Sequence, residues 1–225
     1  MSRSEQGDDV RRPRPRPRLE SLSDLIYGLS LSIGAIGLVV NSVQSSGIGD
    51  INRNVIDFIF VFLILVTSWI VYTETASVLP IGSRPVTSLN VVLLVLVAIM
   101  PYLFEQAILQ SNAAYVQNYA SSLFALDLSG QILIASAFAH VIASEARRPS
   151  VEAGVLAGFR RSRNLLFFVA LLVLISLGVP WAWLLFQAHV RMLVCFVPVV
   201  VFWANRMRRR PFGVGGIGPG QTQDS

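Results

Sequence analysis

The chain has no lysine. All eighteen of its basic residues are arginine, charged residues make up only 14% of the sequence, and hydrophobic residues make up 53%. Ordinary soluble domains carry about 25% charged residues, so this chain is too apolar for that class. A single cysteine, Cys195, excludes a disulfide framework, and with only two histidines, His140 and His189, a zinc site lacks ligands. Cys195 lies in an apolar run and reads as a small buried hydrophobe. The GxSxG, HExxH, P-loop and CxxC motifs are all missing, so neither an enzyme nor a cofactor is expected. No internal repeat stands out, which weighs against a secondary transporter built from inverted repeats.

What the chain does have is long apolar runs. A membrane-spanning helix needs about 20 mostly apolar residues, and six stretches qualify: 22–42, 55–76, 87–109, 119–143, 164–186 and 187–205. The fold class is therefore all-α, a six-helix transmembrane domain over 19–205. The fifth and sixth stretches meet at "FQAHVR", which predicts a tight helical hairpin. Trp181 and Trp183 beside Pro180, and Trp203 before "RMRRR", mark the two membrane interfaces.

Arginine placement predicts the orientation. An even number of spans puts both termini on one side, and that side then holds sixteen arginines against two, Arg53 and Arg191, on the other. The chain is expected in the cell membrane with both termini cytoplasmic. The first apolar stretch lacks a small-residue cleavage site and reads as an uncleaved helix, not a signal peptide. Residues 1–18, ending in "RRPRPRPR", are expected as a disordered arm, because alternating proline blocks helix. The arm is a topology signal whose further possible partner is anionic inner-leaflet lipid. Nucleic acid is not expected, since no aromatics interleave with the charges. Residues 206–225 form a basic, then glycine-rich tail, and 151–162 reads equally as a short surface helix or a loop.

The first helix separates into stripes at about 100° per residue. Leu25, Leu29, Ile33, Ile36 and Val40 share one face; Ser23, Ser30, Gly34, Gly37 and Asn41 share a second; Asp24, Tyr27, Leu31, Ala35 and Leu38 share a third. Lipid provides little hydrophobic drive between helices, so the second stripe predicts close backbone approach to neighbouring helices. Asp24 sits at the mouth of the span, where an unpaired carboxylate is costly and needs partners from other helices.

The start of this helix, with Arg18, Leu22, Ser23 and Asp24, is similar to the RxxxFSD signature of the transmembrane protein 175 family, the non-classical potassium channels of prokaryotes and lysosomes. Leu22 stands where that family has phenylalanine. "SLNVVLLVLVAIMPY" and "SLFALDLSGQILI" resemble the family's third and fourth helices, so the likeness covers roughly 18–205. The resemblance implies a homotetramer whose first helices line a pore for potassium ions. Its aliphatic constriction rings would fall on Leu29, Ile33 and Ile36, with Ser32 as a hydroxyl layer. Arg18, Ser23 and Asp24 would hold helices together, as would Ser30, Gly34 and Gly37. The TVGYG filter of ordinary potassium channels is absent, so any potassium preference must come from side-chain rings. Gly34 and Ala35 replace bulkier aliphatics of the family's first helix, and "WIVYTET" ends the second helix where relatives carry histidines.

Asp127 and His140 in the fourth span form the other candidate polar site. An intramembrane ionisable group suggests transport by default, which would make the chain a proton-coupled carrier. Against this, polar "SNAAYVQNYASS" before Asp127 predicts a shallow, hydrated position, and the structural reading is a hydrogen bond to Gln131 or to a neighbouring helix. A non-conducting membrane scaffold or accessory subunit is the remaining reading. Glu105 and Asp57 are expected near the outer surface.

Overall fold

The computed structural model describes residues 16–43, 47–76, 84–109, 112–145, 153–180, 182–185 and 188–208. Six helices follow one another: α1 (Arg16–Val43), α2 (Ile48–Ala76), α3 (Arg84–Ile108), α4 (Ala114–Glu145), α5 (Ala153–Ile175) and α6 (Val190–Arg208). Proline at a first turn costs no helical bond, and Pro17 and Pro85 occupy that position in α1 and α3. Asp50 in the first turn of α2 complements the positive end of its dipole.

Four helices, α2, α3, α4 and α6, are long and apolar enough to cross a membrane; α1 and α5 carry the shorter apolar stretches Ser21–Gly37 and Ser162–Gly178 among the described residues. The chain is a multi-pass membrane protein. Residues 16–18, expected in the arm, are the first turn of α1, while 1–15 and 209–225 lie outside the described residues. Residues 153–162 are neither a loop nor a separate surface helix; they run without a break into α5.

The largest departure from expectation is the end of α5. The helix stops at Ile175, passes through a 3-10 turn at Ser176–Gly178, and gives way to extended backbone at Val179 before Pro180. Two short antiparallel strands follow, β1 (Leu184–Leu185) and β2 (Ala188–His189), with Leu184 opposite His189 and Leu185 opposite Ala188. Proline disfavours helix in the residue before it, so the fifth helix cannot run to 186 and no tight helical hairpin forms.

α4 is the most buried helix and packs against α5 and α3, while α1 lies against α2 and α3. Val97, Met100, Phe124, Val173 and Cys195 form the interior. Phe60 of α2 stacks on Phe104 of α3 and Phe196 of α6, with ring centres 5.4 and 4.9 Å apart, and Phe104 meets Phe124 of α4 at 5.5 Å. Each such pair contributes about 0.5–1.5 kcal/mol beyond its buried area. These rings tie four helices at one level.

Polar contacts show which helix ends meet. Glu74 near the end of α2 pairs with Arg206 near the end of α6. Arg163 of α5 bonds the His140 ring near the end of α4 at 3.1 Å. Arg191, at the start of α6 and 4% exposed, does the same work at the opposite end. Its guanidinium donates to Asn118 Oδ1 (3.0 Å), Ser121 Oγ (2.8 Å) and Ser122 Oγ (2.7 Å) on α4, and to the Val179 carbonyl (2.8 Å) past α5. The planar five-donor fork suits this bridging in a way a lysine ammonium does not.

Removing that fork would leave several buried acceptors without a donor, at a cost on the order of 3 kcal/mol. Arg191→Met is therefore expected to lower the melting temperature of the detergent-solubilised protein clearly, and Arg191→Lys to lower it less. Melting followed by intrinsic fluorescence checks this; equal melting of wild type and Arg191→Met would contradict it.

Candidate pore face and the polar network behind it

α1 presents two chemically different sides. Leu29, Ile33 and Ile36 are 56%, 38% and 61% exposed, and Leu22 and Leu25 continue the same apolar face toward the start of the helix. Ser32 lies on this exposed side and donates to the Gly28 carbonyl at 2.9 Å, so its hydroxyl proton is committed to its own helix. At 1.5 Å of rise per residue, Leu29, Ile33 and Ile36 occupy successive levels roughly 4.5–6 Å apart. Val40 has no described side chain, nor do Leu38 and Asn41.

The other side of α1 is held by hydrogen bonds to α2. Ser23 is fully buried, and its Oγ lies 2.7 Å from the Tyr72 hydroxyl. One turn on, the Tyr27 hydroxyl lies 3.0 Å from Ser68 Oγ. Ser68 in turn donates to Gln131 Oε1 at 3.2 Å, and Gln131 Nε2 donates to Asp127 Oδ2 at 2.9 Å. Because the one Ser68 proton goes to Gln131, Tyr27 must be the donor to Ser68. A directed chain, Tyr27 to Ser68 to Gln131 to Asp127, thus links α1, α2 and α4. Ser30, also buried, closes its bond on the Ile26 carbonyl at 2.9 Å.

The small residues bring α1 close to its neighbours in the same subunit. A Cβ on Gly37 would come within 3.3 Å of the Glu105 carboxyl on α3, and one on Gly34 would lie 3.8 Å from Val61 Cγ1 on α2. Glu105 and Asp57 border a small cavity of about 30 Å³ there, and Asp57 lies 3.8 Å from Arg53. The partner of Asp24 is the indole of Trp69 on α2, whose Nε1 donates to Oδ1 at 2.9 Å. Arg18 lies in the first turns of α1, and its side chain falls outside the described residues.

Asp127 and His140 are not brought together. Asp127 is 5% exposed inside the bundle and not hydrated, because Gln131 and the packed face of α4 cover it. His140 is exposed at the end of α4, where it meets Arg163. Thirteen residues separate the two on one helix, roughly 20 Å of rise, too far for direct proton transfer. Sequence reasoning missed Tyr27, Ser68 and Tyr72 as a polar set, and counted Arg191 only for topology. A charge at the edge of an apolar run was the available signal for Arg191. Among the described residues no three His, Cys, Asp or Glu side chains gather as a metal site.

The Ser23–Tyr72 bond is buried and joins two helices, so it is expected to contribute about 1 kcal/mol. In a double-mutant cycle of Ser23→Ala and Tyr72→Phe, read by reversible unfolding in mixed micelles, the coupling should be of that size. Strict additivity would show that the contact carries no stability.

No family model matches the sequence, and no curated protein matches it. Among solved structures, the chain is similar to one described as a lysosomal potassium-selective channel TMEM175 homologue from Chamaesiphon minutus. The match has a TM-score of 0.58 at 16% identity and covers 84% of this chain and 97% of that one. At that identity the likeness is one of fold. This chain shares the fold of a TMEM175 channel homologue.

Proposed function

We propose that the chain is the subunit of a potassium-permeable cation channel, in which four copies set their α1 helices around one axis. The observation that carries this reading is the division of α1: an exposed aliphatic face on Leu29, Ile33 and Ile36, and an opposite face locked by Ser23 and Tyr27 to α2. Support also comes from the shared fold, since the similar structure is described as a potassium-selective channel. Both termini then lie in the cytoplasm of a cell-membrane protein, where the arginine-rich ends meet anionic lipid headgroups.

Four copies of Leu29, Ile33 and Ile36 make three successive apolar rings. A narrow apolar passage expels water, and an ion must shed part of its hydration to enter it. Ser32 lies between the Leu29 and Ile33 levels, but its proton is bound to Gly28, so it offers the passage a lone pair. The residues of the signature, Ser23 and Asp24, stay away from the ion and hold α1 through Tyr72 and Trp69. The separation of Asp127 and His140 along α4, roughly 20 Å, weighs against the carrier reading.

Potassium and sodium flux in reconstituted liposomes tests this. Shortening one ring by Ile33→Ala should raise cation flux roughly tenfold, the effect of lowering a barrier by ~1.4 kcal/mol, and weaken potassium over sodium discrimination. Leu31→Ala, where the side chain packs inside the subunit, should change stability and leave the selectivity ratio alone. No flux from wild type or Ile33→Ala in a well-folded oligomer would favour the non-conducting scaffold.

A further inference from the structure

The seam between α4 and α5 carries a cation held only by neutral groups among the described residues. Arg163 opens the apolar stretch Ser162–Gly178 of α5, so it stands where that helix passes from polar to apolar sequence. Its backbone is tied to α4 by Ser136, whose hydroxyl donates to the Arg163 carbonyl at 3.2 Å. Four residues on along α4, His140 Nδ1 receives a guanidinium N–H from Nη1 at 3.1 Å. Asn164 Oδ1 takes two more, from Nε at 3.1 Å and from Nη2 at 3.0 Å. The ion pairs among the described residues, Arg53 with Asp57 and Arg206 with Glu74, lie elsewhere.

A guanidinium has five N–H donors. Three are used among the described residues, and two are left over. Arginine only donates, so His140 Nδ1 must accept, and the neutral ring then carries its proton on Nε2. That imidazole N–H is also without an acceptor among the described residues, and His140 is exposed. Two side chains in direct contact thus offer three spare donors and one full positive charge. Beyond them the surface of α5 turns apolar. Phe167 and Phe168 follow Arg163 and Asn164 by four residues, about 6 Å further along the helix. Leu171 and Leu172 come one turn later, and all four are exposed.

We infer that the head of the α4–α5 seam is a binding site for one anionic phospholipid. Its headgroup phosphate takes the spare N–H groups of Arg163 and His140, and an acyl chain lies along Phe167, Phe168, Leu171 and Leu172. Bonds from arginine to phosphate are charge-assisted, and basic pockets between membrane helices suit phospholipid headgroups. A headgroup that adds a choline ammonium fits worse, because the guanidinium repels it and no carboxylate among the described residues answers it. The arginine-rich ends of the chain attract anionic lipid through diffuse charge; this seam adds a site with fixed donors. It rests on the chain being a membrane protein and not on the channel reading, and flux is not its readout.

Native mass spectrometry of the full protein in detergent, titrated with dioctanoyl phosphatidylglycerol or dioctanoyl phosphatidylcholine, tests the site. One phosphatidylglycerol per subunit is expected to bind roughly tenfold more tightly than phosphatidylcholine, the size of a charge-assisted contact. Arg163→Gln should erase that preference. His140→Phe, which keeps a ring without an N–H, should weaken it about threefold, and it serves as the main variant if Arg163→Gln fails to fold. Arg206→Gln removes the same charge at the same end of the bundle, from an arginine already paired with Glu74, and should leave the preference intact. Equal binding of the two lipids by the wild type, or full preference in folded Arg163→Gln or His140→Phe, would overturn the site. An equal loss in Arg206→Gln and Arg163→Gln would overturn it too, since diffuse charge then accounts for the effect. Displacement of phosphatidylglycerol by glycerol phosphate at comparable concentration would make the ligand a free phosphate ester and overturn the lipid.

Discussion

Two tyrosine hydroxyls decide which way α1 faces. Tyr72 reaches up to Ser23 and Ser68 reaches Tyr27, so α1 is bonded to α2 at two points one turn apart. A helix held at two such points is no longer free to rotate about its axis. Buried hydroxyls left unpaired cost about 1–3 kcal/mol each, and in a bilayer no water is at hand to replace the lost partner. The aliphatic residues of α1 are thereby turned outward, where a second copy or lipid must cover them. The rest of the bundle serves this placement: α4 backs the bonds through Gln131, and the Phe60 cluster holds α2 against α3 and α6.

The same constraint explains the composition of the first helix. Small residues on its inner side, Gly34 and Gly37, allow approach to Val61 and Glu105, and the serines among them find hydroxyl or backbone partners. Asp24 at the mouth is satisfied by an indole N–H and not by an arginine among the described contacts. Charge and small residues each have a separate neighbour within the subunit, and the apolar stripe faces outward. The opposite end of the bundle is organised differently, around the single guanidinium of Arg191.

Much of this was legible in the sequence because hydropathy and helical period report on each helix alone. The six helices and the stripes of α1 are of that kind. The end of α5 was misread because "WAWLLF" keeps the apolar run going beyond Pro180, and a hydropathy window does not see backbone geometry. Gly178 and Pro180 together were the stop signal. The hydroxyl chain was not legible, because pairing Tyr27 with Ser68 and Ser68 with Gln131 depends on how three helices rotate against each other. Asp127 looked hydrated for a related reason: the polar residues before it, Asn118, Ser121 and Ser122, gather on Arg191, while Asp127 is buried and bonded to Gln131.

Whether the outward face of α1 meets other copies of itself is tested most directly by cross-linking between subunits. In a Cys195→Ala background, Ile33→Cys should form disulfide-linked dimers on mild oxidation in native membranes, because four α1 helices around one axis bring position 33 of neighbouring copies together. Leu31→Cys, packed inside the subunit, should stay monomeric under the same oxidant. Cross-linking at position 31 and none at position 33 would place the aliphatic face against lipid and contradict the pore.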